Sequence, residues 1–283
     1  MENTFISVEW LKKNFNQRNV FILEATFFLP NMERNARIEY SKSHIPNSQF
    51  FDIEEISDKS SDLPHMLPSP HLFENFAKNF GICDDSLIVL YDRSPLLSSA
   101  RAWWMFRYFG HKNVSVLDGG FLKWIKEGGS VESGKSKKFK MGNFKSKEPF
   151  NTGVITKNGI KKILTNNNSN YQIIDARPKG RFLGKENEPR SNLRSGHIPF
   201  SLNFPISQIL NSKDNTIKTK FDLLTLFKKA NINLDKDIIT TCGSGITACG
   251  LTLALAYLKK NNVRVYDGSW AEWGASKEPI NKK

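Results

Sequence analysis

The sequence predicts an α/β protein made of two tandem copies of one unit, each a small, mostly parallel sheet flanked by helices. Three observations lead there. The length of 283 residues exceeds one mid-sized domain and suits about two, at about 150 residues per domain. Stretches of the first half return in the second, degenerate but in order. Within each copy, short β-rich runs alternate with helical runs, which is the pattern of parallel strands joined by crossover helices.

The repeat rests on three collinear matches spaced by about 150 residues. SHIPNSQFFDI (43–53) parallels GHIPFSLNFPI (196–206). DDSLIVLYDRS, from Asp84, parallels LDKDIITTCGS and pairs Asp92 with Cys242. VLDGGFLKW parallels VYDGSWAEW and pairs Asp118 with Asp267. Each copy opens with a β-rich run (VFILEA; YQIIDA) and a His-Ile-Pro turn. A helical stretch follows (LFENFAKNF; FDLLTLFKKA), then a short apolar run suited to a buried strand (SLIVLY; DIITT). A second helix (SSARAWWMFRYFG; ACGLTLALAYLKK) and a short strand (VSVLD; VRVYD) close the unit. Between the copies, GKSKKFKMGNFKSKEPFN is polar, basic and without periodicity, as a linker would be. The expected division is a first domain at 1–140, a linker at 141–155 and a second domain at 156–283.

Composition excludes several classes. At 39% apolar and 24% charged residues the chain reads as an ordinary globular protein. No apolar run approaches the roughly 18 residues of a membrane span. The amino-terminal MENTFISVEWLKKNFNQ is acidic and amphipathic where a secretory signal would be basic and then apolar, so cytoplasmic residence is expected. Three cysteines, Cys83, Cys242 and Cys249, match neither a disulfide framework nor a zinc pattern. The net charge of +13 is spread through Lys/Asn/Ile-rich runs rather than an arginine stripe with aromatics, so no nucleic-acid partner and no membrane partner is expected.

Chemistry concentrates where DIITT runs into Cys242-Gly243-Ser244-Gly245-Ile246-Thr247 and then into a helix. Two glycines within four residues let successive N–H groups curl around one anion. A helix N-terminus adds up to about 2 kcal/mol toward an anion in a partly buried site. The thiolate is the reactive form of cysteine, so this is a nucleophile's setting. A phosphate-gripping loop would close with an arginine, and Ala248 and Cys249 stand there instead.

The Cys-Gly-Ser-Gly-Ile-Thr loop, the two His-Ile-Pro turns and the closing Asp-Gly-Ser-Trp-Ala-Glu-Trp together resemble the rhodanese superfamily, over essentially the whole chain. The uncharged Gly243-Ser244-Gly245 is similar to its 3-mercaptopyruvate branch, since thiosulfate-using relatives carry Arg and Lys there. The resemblance implies two tandem rhodanese-like domains, the second catalytic and the first silent, with Asp92 at the nucleophile position. It implies transfer of sulfane sulfur from 3-mercaptopyruvate through a Cys242 persulfide to a thiol or cyanide, with no cofactor and no metal. A thioredoxin-like thiol is the implied acceptor.

Residue by residue, the resemblance implies a donor site of Arg181, Arg190 and the loop residues Gly243, Gly245, Ile246 and Thr247, and a proton relay of Glu54, His65 and Ser244. Forked guanidinium donors suit a planar carboxylate independently of any resemblance. Arg177, beside a strand end, reads as an ordering residue. His44 and His197, at repeat-equivalent turns, read as packing, as do Cys249, Cys83 and the tryptophans. Thiosulfate as the donor, and a non-catalytic persulfide carrier or interaction module, are the alternatives.

Overall fold

A computed structural model describes residues 4–147, 153–166 and 170–282. The chain forms two compact units. The first comprises 1–59, 67–150 and 211–217, and the second 60–66, 151–210 and 218–283. The expected α/β architecture of two repeated parallel sheets is what the chain adopts.

In the first unit the order is β1 (Phe5–Ile6), α1 (Val8–Asn14), β2 (Val20–Glu24), α2 (Ala36–Lys42), β3 (Ser48–Phe50), α3 (Pro70–Asn79), β4 (Leu87–Tyr91), α4 (Ser99–Tyr108), β5 (Val114–Leu117) and α5 (Gly120–Lys126). The second unit repeats it: β6 (Val154–Ile155), α6 (Lys157–Thr165), β7 (Tyr171–Asp175), α7 (Lys179–Phe182), β8 (Leu202–Asn203), α8 (Lys220–Lys229), β9 (Asp237–Thr241), α9 (Ile246–Tyr257), β10 (Val263–Tyr266) and α10 (Ser269–Trp273). Each sheet has five strands, ordered β1-β5-β4-β2-β3 and β6-β10-β9-β7-β8, and every pairing is parallel. Parallel neighbours cannot be joined by hairpins, so helices must cross the sheet faces.

Local sequence sets the helix starts. Ser69 accepts the N–H of Leu72 and Pro70 fills the first turn of α3, where a missing N–H costs nothing. Thr156 and Thr219 cap α6 and α8 in the same way. Strands β4 and β9 are buried almost throughout, as continuous apolar or β-branched runs require in a covered parallel sheet. Trp124 anchors the first core cluster, and Trp270 and Trp273 the second.

This strand order positions the sites. In each sheet the chain leaves β2 or β7 toward one edge and β4 or β9 toward the other. The carboxyl ends of these central strands therefore open a crevice, the usual ligand position in open α/β sheets. The loop after β9 begins at Cys242.

Part of the stretch expected as a linker at 141–155 is packed. The N–H groups of Gly142, Phe144 and Lys147 donate to the carbonyls of Lys78, Ile82 and Phe109, and Val154–Ile155 form an edge strand on β10. Phe144, 1% exposed, meets the rings of Phe73, Phe106 and His111 at 5.8, 6.3 and 5.8 Å. Scattered aromatics in a polar, basic stretch show no periodicity, but the Phe144 ring joins an aromatic cluster. Residues 148–152 of that stretch lie outside the described residues. Phe144→Ala is expected to lower stability by about 3–5 kcal/mol, as for other buried Phe truncations, measured as a shift in the urea midpoint at unchanged slope.

Candidate active site

Cys242 follows β9 at its carboxyl end and is 2% exposed. Its setting is polar. Its N–H donates to Ser269 Oγ at 3.2 Å. Its carbonyl accepts from Trp270 N–H at 2.9 Å, and that of Gly243 from Ala271 N–H at 2.8 Å. A trans peptide points its C=O and N–H in opposite directions. The two carbonyl bonds to α10 therefore turn the N–H groups of Gly243 and Ser244 away from that helix and into the loop. Among the described residues, no acceptor engages the amides from Gly243 to Thr247. Gly245 holds φ +81°, the left-handed conformation that lets the loop close onto α9.

The first unit shows what such a loop holds. Asp92 is buried, and its carboxylate accepts Ser94 N–H at 3.0 Å and Ser99 N–H at 2.7 Å. Its carbonyl accepts Phe121 N–H at 2.9 Å, as that of Cys242 accepts Trp270 N–H. One repeat closes its loop on its own carboxylate, while the other presents a sulfur.

Ser244, 6% exposed, lies with its Oγ 3.0 Å from Nδ1 of His65. His65 is itself buried, at φ +61°, on the 60–66 segment that packs with the second unit. Arg181, from α7, reaches the same loop: a Cβ added to Gly243 would stand 3.0 Å from its Nη2. Glycine there makes room for the guanidinium. Arg181 is held from behind by Glu188 at 2.5 Å, and its buried Nε has no partner among the described residues.

Arg177 is an ordering residue, as its place beside β7 suggested. It is 1% exposed, grips Asp175, bonds Glu188 at 2.8 Å and the Gly196 carbonyl at 2.8 Å, and lies 4.3 Å over the Trp270 ring. His44 and His197 are packed alike. Nδ1 of His44 is 2.9 Å from the Tyr40 carbonyl, with the rings stacked, and Nδ1 of His197 is 2.8 Å from the Phe182 carbonyl, with the rings stacked. Cys249 is buried, its thiol donating to the Gly245 carbonyl at 3.1 Å.

The second unit thus gathers Cys242, Gly243, Ser244, Gly245, His65 and Arg181. Arg190 is half-buried, on the stretch that follows α7. Glu54 belongs to the first unit and is exposed, its carbonyl taking Ser57 Oγ and Lys59 Nζ. It lines a cavity of about 770 Å³ whose arginines are already paired, Arg34 with Glu39 and Arg37 with Asp52 and Glu55. No cluster able to hold a metal occurs among the described residues. Ser269 and Glu188 were not singled out in the sequence. For Ser269 a signal existed, since the repeat aligns it with Gly120.

The second unit thus presents a cysteine on the strand-to-helix loop of a repeated parallel α/β unit, and comparison with known proteins gives the family to which that arrangement belongs. The rhodanese-like domain model matches residues 7–127 and 159–276. The chain belongs to the rhodanese-like family, in its two-domain sulfurtransferase branch. It is 40% identical over 272 residues to the 3-mercaptopyruvate sulfurtransferase of Escherichia coli K12, covering 96% of this chain and 95% of that one. It is 39% identical over 276 residues to the thiosulfate sulfurtransferase of Rattus norvegicus, covering 95% and 91%. The crystal structure of Tum1 from Saccharomyces cerevisiae superposes with a TM-score of 0.90 at 29% identity, covering 100% and 99%. That of SseA from Escherichia coli superposes at 0.84 and 37%, covering 95% and 99%. None of the described helices is long and apolar enough to cross a membrane.

Burial pushes the Asp92 carboxyl up to about 6, against the lowering effect of the hydrogen bonds from Ser99 and Ser94. A carboxyl raised on folding binds its proton more tightly in the native state. Its contribution is therefore complete below about pH 4 and is lost as pH rises through about 6. The loss attributable to this group is about 3 kcal/mol. Asp92→Asn is expected to flatten that part of the stability–pH curve, read by urea unfolding of both proteins at pH 4.5 and 7.5.

Proposed function

We propose that this protein is a 3-mercaptopyruvate sulfurtransferase with Cys242 as the persulfide-forming nucleophile. The observation that carries the reading is the loop at the end of β9, whose amides from Gly243 to Thr247 engage no acceptor among the described residues and which has Arg181 beside Gly243. Such amides stabilise negative charge on sulfur without reorganising during the reaction.

The chemistry runs in two half-reactions. The Cys242 thiolate attacks the sulfur of 3-mercaptopyruvate, an S–S bond forms, and the C–S bond breaks. Its electron pair leaves as the enolate of pyruvate, which takes a proton at carbon. An acceptor thiolate, or cyanide, then attacks the outer sulfur of the persulfide and regenerates the Cys242 thiolate. Ser244, hydrogen-bonded to His65, supplies the enolate's proton. Arg181 and Arg190 hold the donor's carboxylate and carbonyl, and the amides of Gly243, Gly245, Ile246 and Thr247 hold the sulfur. The acceptor is a small thiol or a thioredoxin-like dithiol. A reducing compartment such as the cytoplasm suits three free cysteines.

Thiosulfate is the second reading, favoured by the rat relative of that name. Against it, the residues after Cys242 are uncharged, and the cation beside the loop comes from α7.

Intact mass after incubation with 3-mercaptopyruvate should show one added sulfur, lost in Cys242→Ser and kept in Cys249→Ser. No gain in the wild type rules out the persulfide. Donor-resolved kinetics decides the substrate. Arg181→Ala should lower kcat/KM for 3-mercaptopyruvate by about 100-fold, the scale of a lost charge-assisted contact, and lower that for thiosulfate less. A clear wild-type preference for thiosulfate overturns the donor assignment.

A further inference from the structure

Ser269, the first residue of α10, is wholly buried and adopts φ +48°, a conformation that side-chain-bearing residues take up rarely. Its hydroxyl both accepts and donates. Oγ accepts the Cys242 N–H at 3.2 Å and donates to the Tyr266 carbonyl at 2.7 Å. With the bonds from Trp270 and Ala271 to the carbonyls of Cys242 and Gly243, it fixes three consecutive peptide groups around the nucleophile.

The first unit supplies an internal control. There the matching residue is Gly120, at φ +54°, and the backbone brace from Phe121 to the Asp92 carbonyl is retained. A Cβ on Gly120 would stand 2.3 Å from the Asp92 carbonyl oxygen. The copy without a nucleophile thus uses the residue that fits this conformation most easily. The copy with Cys242 keeps a serine there, whose Oγ hydrogen-bonds the Cys242 amide and the last residue of the strand that precedes α10. Strain retained at a site's edge points to a role in that site.

We propose that Ser269 is a positioning residue for Cys242: by engaging its amide, Ser269 sets the backbone orientation from which the sulfur meets the donor. The assignment rests on the sulfurtransferase reading for its kinetic expression, but not for its structural one.

Ser269→Gly is the decisive variant, because it relieves the conformational strain and copies the first unit. We expect its melting temperature to stay at or above that of the wild type. Its kcat for 3-mercaptopyruvate should fall about tenfold, the worth of one buried hydrogen bond, with KM unchanged because Arg181 and Arg190 are untouched. The rate at which iodoacetamide alkylates Cys242, followed by peptide mass, should fall by a similar factor while that of Cys83 does not. Ser269→Ala should show the same kcat and a lower melting temperature. Wild-type kcat and wild-type Cys242 alkylation in Ser269→Gly overturn the proposal. If the wild type fails to turn over 3-mercaptopyruvate, the donor reading fails, and the alkylation comparison alone still decides the role of Ser269.

Discussion

Two carbonyl oxygens, those of Cys242 and Gly243, each take an N–H from the start of α10. Because peptide groups are planar, the amides that follow them must face the other way. That constraint converts an ordinary strand-to-helix connection into a concave set of donors. The glycine at 245 lets the chain close, and the helix N-terminus aligns further N–H groups in the same sense. Donors so arranged suit a group that accepts hydrogen bonds, as the Asp92 side chain does in the first unit.

Duplication makes the constraint visible twice, and the two copies differ instructively in where they place an arginine. In the first unit Arg93, the residue after Asp92, binds Glu24 at the end of β2, the Ser43 carbonyl and the face of Phe121. In the second, Arg177 binds Asp175 at the end of β7, the Gly196 carbonyl and the face of Trp270. The three partners correspond one for one, yet the guanidinium arrives from different loops. Supplying it from the loop after β7 leaves position 243 free to be glycine, beside the nucleophile. In the first unit that position is filled by the arginine, and the adjoining loop is closed by the carboxylate of Asp92. The same scaffold thus takes its guanidinium from two different loops, and only in the second unit does this leave the position after the loop's first residue to glycine.

Most of the sheet was legible because β2, β4, β7 and β9 are long enough to show apolar runs and their helices long enough to show faces. The two-residue edge strands β1, β6 and β8 carry no period, and their existence depends on a neighbour already being in place. The packed stretch around Phe144 and the 60–66 segment that brings His65 to Ser244 are tertiary facts of the same kind. The strand-to-helix loop at Cys242 was legible because two glycines follow the cysteine within three residues, just before a helical run. Ser269 was hidden inside a motif that packing alone explained, and only its contrast with Gly120 distinguishes it. Glu188 was hidden because a buried carboxylate looks like any surface glutamate until its two arginines are found.

Those two arginines bear on what the site will accept. Asp175, Glu188, Arg177 and Arg181 carry two negative and two positive charges, so the buried cluster is neutral as it stands. Arg177 spends its donors on protein, but Arg181 gives one to Glu188 and keeps a buried Nε without a partner among the described residues. An unsatisfied buried donor on a charged group is costly, by about 1–3 kcal/mol or more. A ligand that accepts from it recovers that free energy on binding. A carboxylate offers two such acceptors in the plane of the guanidinium fork. With Gly243 leaving that face uncovered, the arrangement favours donors that carry an anionic group a short distance from their sulfur.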